Sequence, residues 1–301
     1  MEQDTGYFPR GTSMLRRVQE QRLVGSMYGQ RALCIGALAP LNYVGTSRHT
    51  RAKEMPFKRL VRTAKQFEAV MLGSRAEADR VLGAVHKMHA RVNGELPEAA
   101  GPYPGGARYD AFDPELMLWT VAVMMDSAEH FYDVLVRRMS AGEREHLWQD
   151  YIRFAELFGM PRDAAPPTYP EFRSWYDAKL AGDELYLTDE ARYVGYCVAF
   201  EIPFTPQMRI FKPGHDLVML GSMPRRVRQE YGLPWTRAHA AAYRVAVQGM
   251  RTGRIVAPTN FNRGRCTWLF DGVAATERRR LAKGRPSPGV SPSGDFLTAH
   301  R

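Results

Sequence analysis

Asp113-Pro114-Glu115-Leu116-Met117-Leu118-Trp119-Thr120-Val121-Ala122-Val123-Met124-Met125 is the stretch whose reading decides the fold. Asp113 supplies an N-cap, and Pro114 sits in the first turn, where its missing N–H costs nothing. Glu115 is an early acid that suits the positive end of a helix dipole. The residues that follow, to about Arg138, are apolar nearly all round rather than along one stripe. Such a helix is predicted to be central, with other helices covering it.

Working outward, the flanking segments read as helices too. From Ser74 to Val92, Ala78, Val81, Leu82, Val85, Met88, Ala90 and Val92 recur near helical spacing, and Asn93-Gly94 ends the run as a C-cap pair. Ser140 opens another helix with Glu143 in the capping-box position, and its apolar face runs through Leu147, Trp148, Tyr151, Phe154 and Leu157. Further helices are predicted from Tyr169 or Pro170 through Leu180, from Thr188 to Phe200, from Leu217 to Glu230, and from Thr236 to Thr252. Ala32 to Val44 is apolar but interrupted by Pro40, so it reads as a buried segment. No alternating strand pattern of useful length and no internal repeat is present, so the fold class is all-α. The segment from Gly94 to Asp113 holds Pro97, Pro102, Pro104 and, beyond Gly94 itself, three glycines (Gly101, Gly105, Gly106), and cannot be helical. A loop that long either covers something or ornaments the surface.

At 301 residues, 45% apolar and 25% charged, the chain suits one large globular domain. Three scattered cysteines (Cys34, Cys197, Cys266) argue against a disulfide scaffold or a cysteine zinc site, and the chain reads as cytoplasmic with reduced thiols. The N-terminus lacks the order of a signal peptide, and no run approaches a membrane span. Of the net charge of +10, half falls between Arg278 and Arg301, in a Pro/Ser/Gly-rich stretch that reads as a flexible basic tail. Such a tail attracts polyanions without specificity, and no DNA-reading motif supports specific nucleic-acid binding. The expected layout is an N-terminal extension over residues 1–29, a helical domain over 30–270 and a tail over 271–301.

A phosphate loop, a Gly-x-Ser-x-Gly elbow and a His-Glu-x-x-His zinc helix are all missing from the sequence. His86 and His89 stand three apart on one helical face: half of a metal site, or a surface histidine beside a satisfied core one. Arg59, Arg62 and Thr63 stand at i, i+3 and i+4 and converge on one face. They would bind a carboxylate or polarise bound oxygen; alternatively they are the solvated side of a basic helix.

These segments also occur in a recognisable order. Gly45-Thr46-Ser47-Arg48, Pro56-x-x-Arg59-Leu60-x-Arg62-Thr63 and Val85-His86-x-x-His89-x-x-Val92-Asn93-Gly94 come first. Phe112-Asp113-Pro114-Glu115-Leu116-x-Leu118-Trp119, Asp126-Ser127-Ala128 and Glu156-Leu157-Phe158-Gly159-Met160-Pro161 follow. Ala165-Pro166-Pro167-Thr168-Tyr169 and Pro224-Arg225-Arg226-Val227-Arg228-x-x-Tyr231-Gly232-Leu233-Pro234-Trp235 complete the series. Over about residues 30 to 260 the chain resembles the MpaB-type oxygenases and latex-clearing rubber oxygenases.

The resemblance implies a single all-α domain around a buried haem b pocket, using dioxygen on a small apolar, isoprenoid- or lipid-like substrate. It implies His89 as the iron ligand, Arg59, Arg62 and Thr63 on the opposite, oxygen-binding side, and Arg59 and Trp119 against the cofactor. Two departures from the family pattern stand out: Arg62 replaces a lysine, and Val121 stands where many relatives have histidine. His130, on the same helix as Val121, reads as a helix-face residue. A non-catalytic haem or lipid carrier on the same scaffold is the alternative, and a fold that binds no haem at all is the third possibility.

Overall fold

The computed structural model describes residues 6–49 and 55–288. In chain order the helices are α1 (Met14–Gln19), α2 (Arg22–Gly25), α3 (Tyr28–Gly36), α4 (Pro40–Arg48), α5 (Pro56–Leu72) and α6 (Arg75–His89). A short hairpin, β1 (Asn93–Glu95) and β2 (Arg108–Asp110), leads into α7 (Pro114–Leu135) and α8 (Ala141–Leu157). Then come α9 (Tyr169–Ala181), α10 (Asp189–Phe200), α11 (Lys212–Ser222), α12 (Arg225–Glu230), α13 (Arg237–Val256), α14 (Thr259–Asn262) and α15 (Thr267–Leu281).

The segment read first is the axis of the fold. Asp113 accepts hydrogen bonds from the N–H groups of Glu115 and Leu116, and fifteen of the 22 residues of α7 are buried. α3 lies along one side of α7, and Trp119 stacks on Tyr176 of α9 at 5.8 Å between ring centroids. The Ser140–Glu143 capping box forms as expected at the start of α8, which packs Trp148 on Phe172 at 4.1 Å.

An ionic knot crosses this core. Arg31 of α3, only 3% exposed, donates to Asp126 of α7 at 2.6 Å, to Ser127 at 2.9 Å and to the carbonyl of Ser222 at 2.9 Å. Arg173 and Tyr176 of α9 donate to the same carboxylate at 2.6 and 3.1 Å. One side chain thereby ties α7 to α3 and α9, and Arg31 carries the tie on to the end of α11.

Several boundaries differ from the sequence expectations, each for a physical reason. The chain before residue 30 is part of the core rather than an extension: Leu15, Val18 and Val24 are fully buried, and Asp150 of α8 accepts from Ser13 and the N–H of Leu15 at 2.9 Å. The region expected to be a tail from residue 271 begins as helix α15. Glu277 there accepts from the first-turn N–H groups of Phe57 and Lys58 at 3.1 and 2.7 Å, capping α5 from outside. The part of the expected tail from 289 onward lies outside the described residues. The helix expected over 217–230 is two helices, because Pro224 has no N–H to continue the ladder. The Gly94–Asp113 loop covers α4: Tyr109, Leu96 and Ala100 form a small apolar cluster on Val44. Its hairpin escaped the sequence reading because each strand is only three residues long.

Asp126 yields a prediction. Burial pushes its carboxyl upward, but Arg31 and Arg173 outweigh burial and hold it at about 2. A depressed folded-state value stabilises the fold above the unfolded carboxyl's value of about 4, and that stability disappears as pH falls through about 2. Asp126→Asn leaves Arg31 buried with a neutral partner and should cost about 3–5 kcal/mol in urea unfolding at pH 7. It should also remove the steepest part of the acid-unfolding curve below pH about 4.

Candidate functional site

A cavity of about 1190 Å³ opens beside α7. Val123 and Met124 of α7 and Ala32 and Gly36 of α3 form its floor, and Leu60, Ala64 and Phe67 of α5 form one side. α13 closes the other side with small residues: Ala246, Gly249 and Gly253, with Met250 between them. A Cβ built at Gly249 or Gly253 meets nothing within 4 Å, so the cavity exists partly because this helix face carries so little bulk. Close backbone packing sets its back wall, where Tyr231 donates to the carbonyl of Cys34 at 2.9 Å. A Cβ at Gly195 would fall 2.1 Å from that hydroxyl.

The wall is overwhelmingly apolar and holds no aspartate or glutamate. Its cations are Arg22, Arg59 and Arg254. Arg22 is consumed by the carbonyls of Asn260, Phe261 and Arg265, and Arg254 by Gln21. Arg59, from the first turn of α5, makes no hydrogen bond or ion pair with a described residue. Burial, and then the neighbouring Arg62, pull its pKa below the usual guanidinium value. Tyr43 stands close enough to favour its charge, and the Tyr43 hydroxyl donates onward to Glu190 at 3.1 Å. Burial, and then Glu190, push the Tyr43 phenol well above its ordinary range.

The structure brings together some of the expected site residues and separates others. Arg59, Thr63 and Trp119 all line the cavity, along with Thr46 from the Gly45-Thr46-Ser47-Arg48 motif. The Trp119 indole N–H is taken by the carbonyl of Gly36 at 3.3 Å, so it offers the cavity a flat apolar edge. Arg62 is exposed and outside the wall. His89 is also off the wall: it ends α6, edge-on to Phe112 at 5.8 Å, with Nδ1 buried and unpartnered. Burial, then His86, lower its pKa. His86 is exposed and meets the carbonyl of Leu157 at 3.1 Å. His130 is held neutral, its pKa pushed down to about 3 by burial and then by Arg31.

The wall also carries one group no motif announced. His215 of α11 is buried, with Nε2 2.9 Å from Gln30 Oε1 and Nδ1 3.0 Å from Asp216 Oδ1. Its neighbours in sequence, Pro213-Gly214 and Asp216, form no recognised pattern, and only the tertiary fold delivers it to the cavity.

Haem b would find room here and a cation in Arg59, but the donor set does not complete the site. His89 is not on the wall, its Nδ1 lacks the carbonyl or carboxylate partner an axial histidine needs, and His215 has both ring nitrogens engaged. The residues present therefore do not assemble an axial ligand on this cavity. Among the described residues, no cluster of three or more metal-ligating side chains occurs either.

The described residues thus form a largely helical fold with a large apolar cavity that Arg59 and Thr63 of α5 both line. Residues 16–252 match the family described as "ER-bound oxygenase mpaB/B'/Rubber oxygenase, catalytic domain", and the chain belongs to that family. It thus carries an oxygenase-type catalytic domain whose helices include α1 and α2. The chain is similar to the uncharacterized protein Rv2237 of Mycobacterium tuberculosis and the uncharacterized protein Mb2261 of Mycobacterium bovis. Each is 21% identical over 215 residues, covering 71% of this chain and 79% of the relative. No solved structure matches.

The cavity wall can be tested by filling it. Gly249→Leu places a branched side chain into open space and removes a helix-interior glycine, which by itself should stabilise the fold by about 0.5–1 kcal/mol. Binding of an apolar fluorescent probe should fall while the melting temperature holds or rises.

Proposed function

We propose that this chain is an oxygenase that takes a chain-like apolar substrate, isoprenoid- or lipid-like, into the cavity beside α7 and reacts it with dioxygen. The observation that carries the reading is an apolar wall without a carboxylate, lined by Arg59, a guanidinium with no ion-pair partner among the described residues, and by Thr63 one helical turn on. In such a setting a fixed cation acts strongly, because little water screens it. Arg59 and Thr63 would hold the polar or reacting end of the substrate, or partial negative charge on an oxygen atom held against them. Trp119, Val123, Met124 and Phe67 would grip the hydrocarbon and exclude water.

The resemblance further implies haem b on His89 as the group that activates oxygen. The described wall offers no free histidine nitrogen for it, so no step of the reaction is assigned to that group. The same observation favours a second reading, a carrier that binds an apolar molecule in the cavity without turning it over.

Two measurements separate these readings. Arg59→Gln should lower substrate-dependent oxygen uptake about 10²-fold, the scale for removing one preorganised charge donor. Arg62→Gln, altering an exposed side chain, should stay within about twofold of the parent protein. A carrier would show no uptake in either variant or in the parent, but would still bind the substrate. Supplied with haem b, the protein should show no absorption band that depends on His89. A band lost in His89→Ala and kept in His215→Ala would reinstate the haem account.

A further inference from the structure

The cavity opens through a rim that large apolar side chains leave in water. Ile210 is 80% exposed, and Phe211, Phe261 and Trp268 are also exposed; all four line the cavity. At the end of α13, next to the cavity residues Arg254 and Ala257, Ile255 and Val256 are exposed at 77% and 78%. These residues come from three separate segments: the turn Pro206–Phe211, the α13–α14 junction and the start of α15. Convergence of this many large apolar side chains around one opening is not the scatter of single hydrophobes found on ordinary surfaces.

Beside the rim lies a second cleft of about 410 Å³ with the opposite character. Arg209 enters it from the turn, and Arg279, Arg280, Lys283 and Arg285 enter it from the end of α15 and the residues after it. Glu201 is its one acid among the lining residues. None of these five cations takes part in an ion pair among the described residues; Arg280 donates to the carbonyl of Pro286 at 2.9 Å. A sixth, Lys212, is turned inward to Asp216 at 2.5 Å. The two features are continuous: Ile202 and Phe204 belong to both walls, and Arg209 and Ile210 are consecutive residues, one in the cleft and the next on the rim.

We propose that this face docks on an anionic lipid surface, with the rim side chains among the acyl chains and the cationic cleft over the headgroups. Both halves of the chemistry are needed. A free phosphate would satisfy the cleft but leave Ile210, Ile255 and Val256 in water. A second copy of the chain would set one array of cations against another. A nucleic acid would satisfy the charge but gain nothing from aliphatic side chains, which cannot stack on bases. A bilayer with negative headgroups meets both at once. Among the described residues no helix is long and apolar enough to cross a membrane, so the contact is interfacial. Docked this way, the cavity mouth faces hydrocarbon, and an apolar molecule enters from the bilayer without crossing water; this delivery step rests on the proposed substrate reading, whereas the docking does not.

The test is co-sedimentation of the full chain with vesicles. With about one-third phosphatidylglycerol in phosphatidylcholine, binding should be at least about tenfold tighter than with phosphatidylcholine alone, and should weaken with salt. Arg279→Glu with Arg280→Glu, and separately Ile210→Asn with Val256→Asn, should each weaken binding about tenfold while the melting temperature and circular dichroism stay unchanged. Absence of binding to anionic vesicles at low salt overturns the proposal, as does binding indifferent to both variants. Two other results overturn it: inorganic diphosphate displacing the protein from vesicles at matched ionic strength, or a dimer in sedimentation velocity that Ile210→Asn dissociates. Vesicle binding by a protein that consumes no oxygen would retain the docking and dismiss the enzymatic reading. Turnover of detergent-dispersed substrate by a protein that ignores vesicles would do the reverse.

Discussion

Asp126 and the two guanidiniums that close on it, Arg31 from α3 and Arg173 from α9, fix where the helices stand relative to α7. Burying three charges is costly, and only close geometry with every remaining donor satisfied makes such a knot tolerable. Arg31 also bonds Ser127 and the carbonyl of Ser222, so the end of α11 is held by the same group. α11 carries His215, and α3 carries Gln30, its partner, so the positions of both depend on this tie. Hydrophobic packing around Trp119, Trp148 and Phe131 provides bulk, but it is non-directional and could not by itself set these registers.

The cavity is the complement of that rigid half. α7 is buried along most of its length, whereas α13 has no buried residue and lays Ala246, Gly249 and Gly253 over the opening. One side of the site is therefore built like a core and the other like a cover. Among the described residues Arg59 has no hydrogen-bonding or ion-pair partner, whereas Arg22 and Arg254 are held by backbone carbonyls and by Gln21. Beyond the family match, which ends at residue 252, the end of α13 together with α14 and α15 supplies four of the six exposed rim residues, and Glu277 of α15 caps the first turn of α5. The mouth of the cavity is thus made largely by the part of the chain outside the family's catalytic domain.

What the sequence determined by itself was local. Continuous apolar composition from Leu116 to Met125 and the caps at Asp113 and Ser140 are written in residue type and spacing, because helix caps act over three or four residues. The i, i+4 placement of Arg59 and Thr63 on one helix face was legible for the same reason. The tertiary structure alone decided which of the candidate residues share a cavity. Arg62 is only one residue from Thr63, yet α5 turns it to solvent; His89 matches a motif, yet α6 ends it beside Phe112; His215 matches none, yet α11 buries it on the wall. Likewise, the basic run after Arg278 reads as a loose tail until Glu277 docks α15 on α5, since a charged segment has no local signal for a partner some 220 residues away. Spacing carries the geometry within a helix, whereas the meeting of helices is set by packing and buried charge across the whole chain.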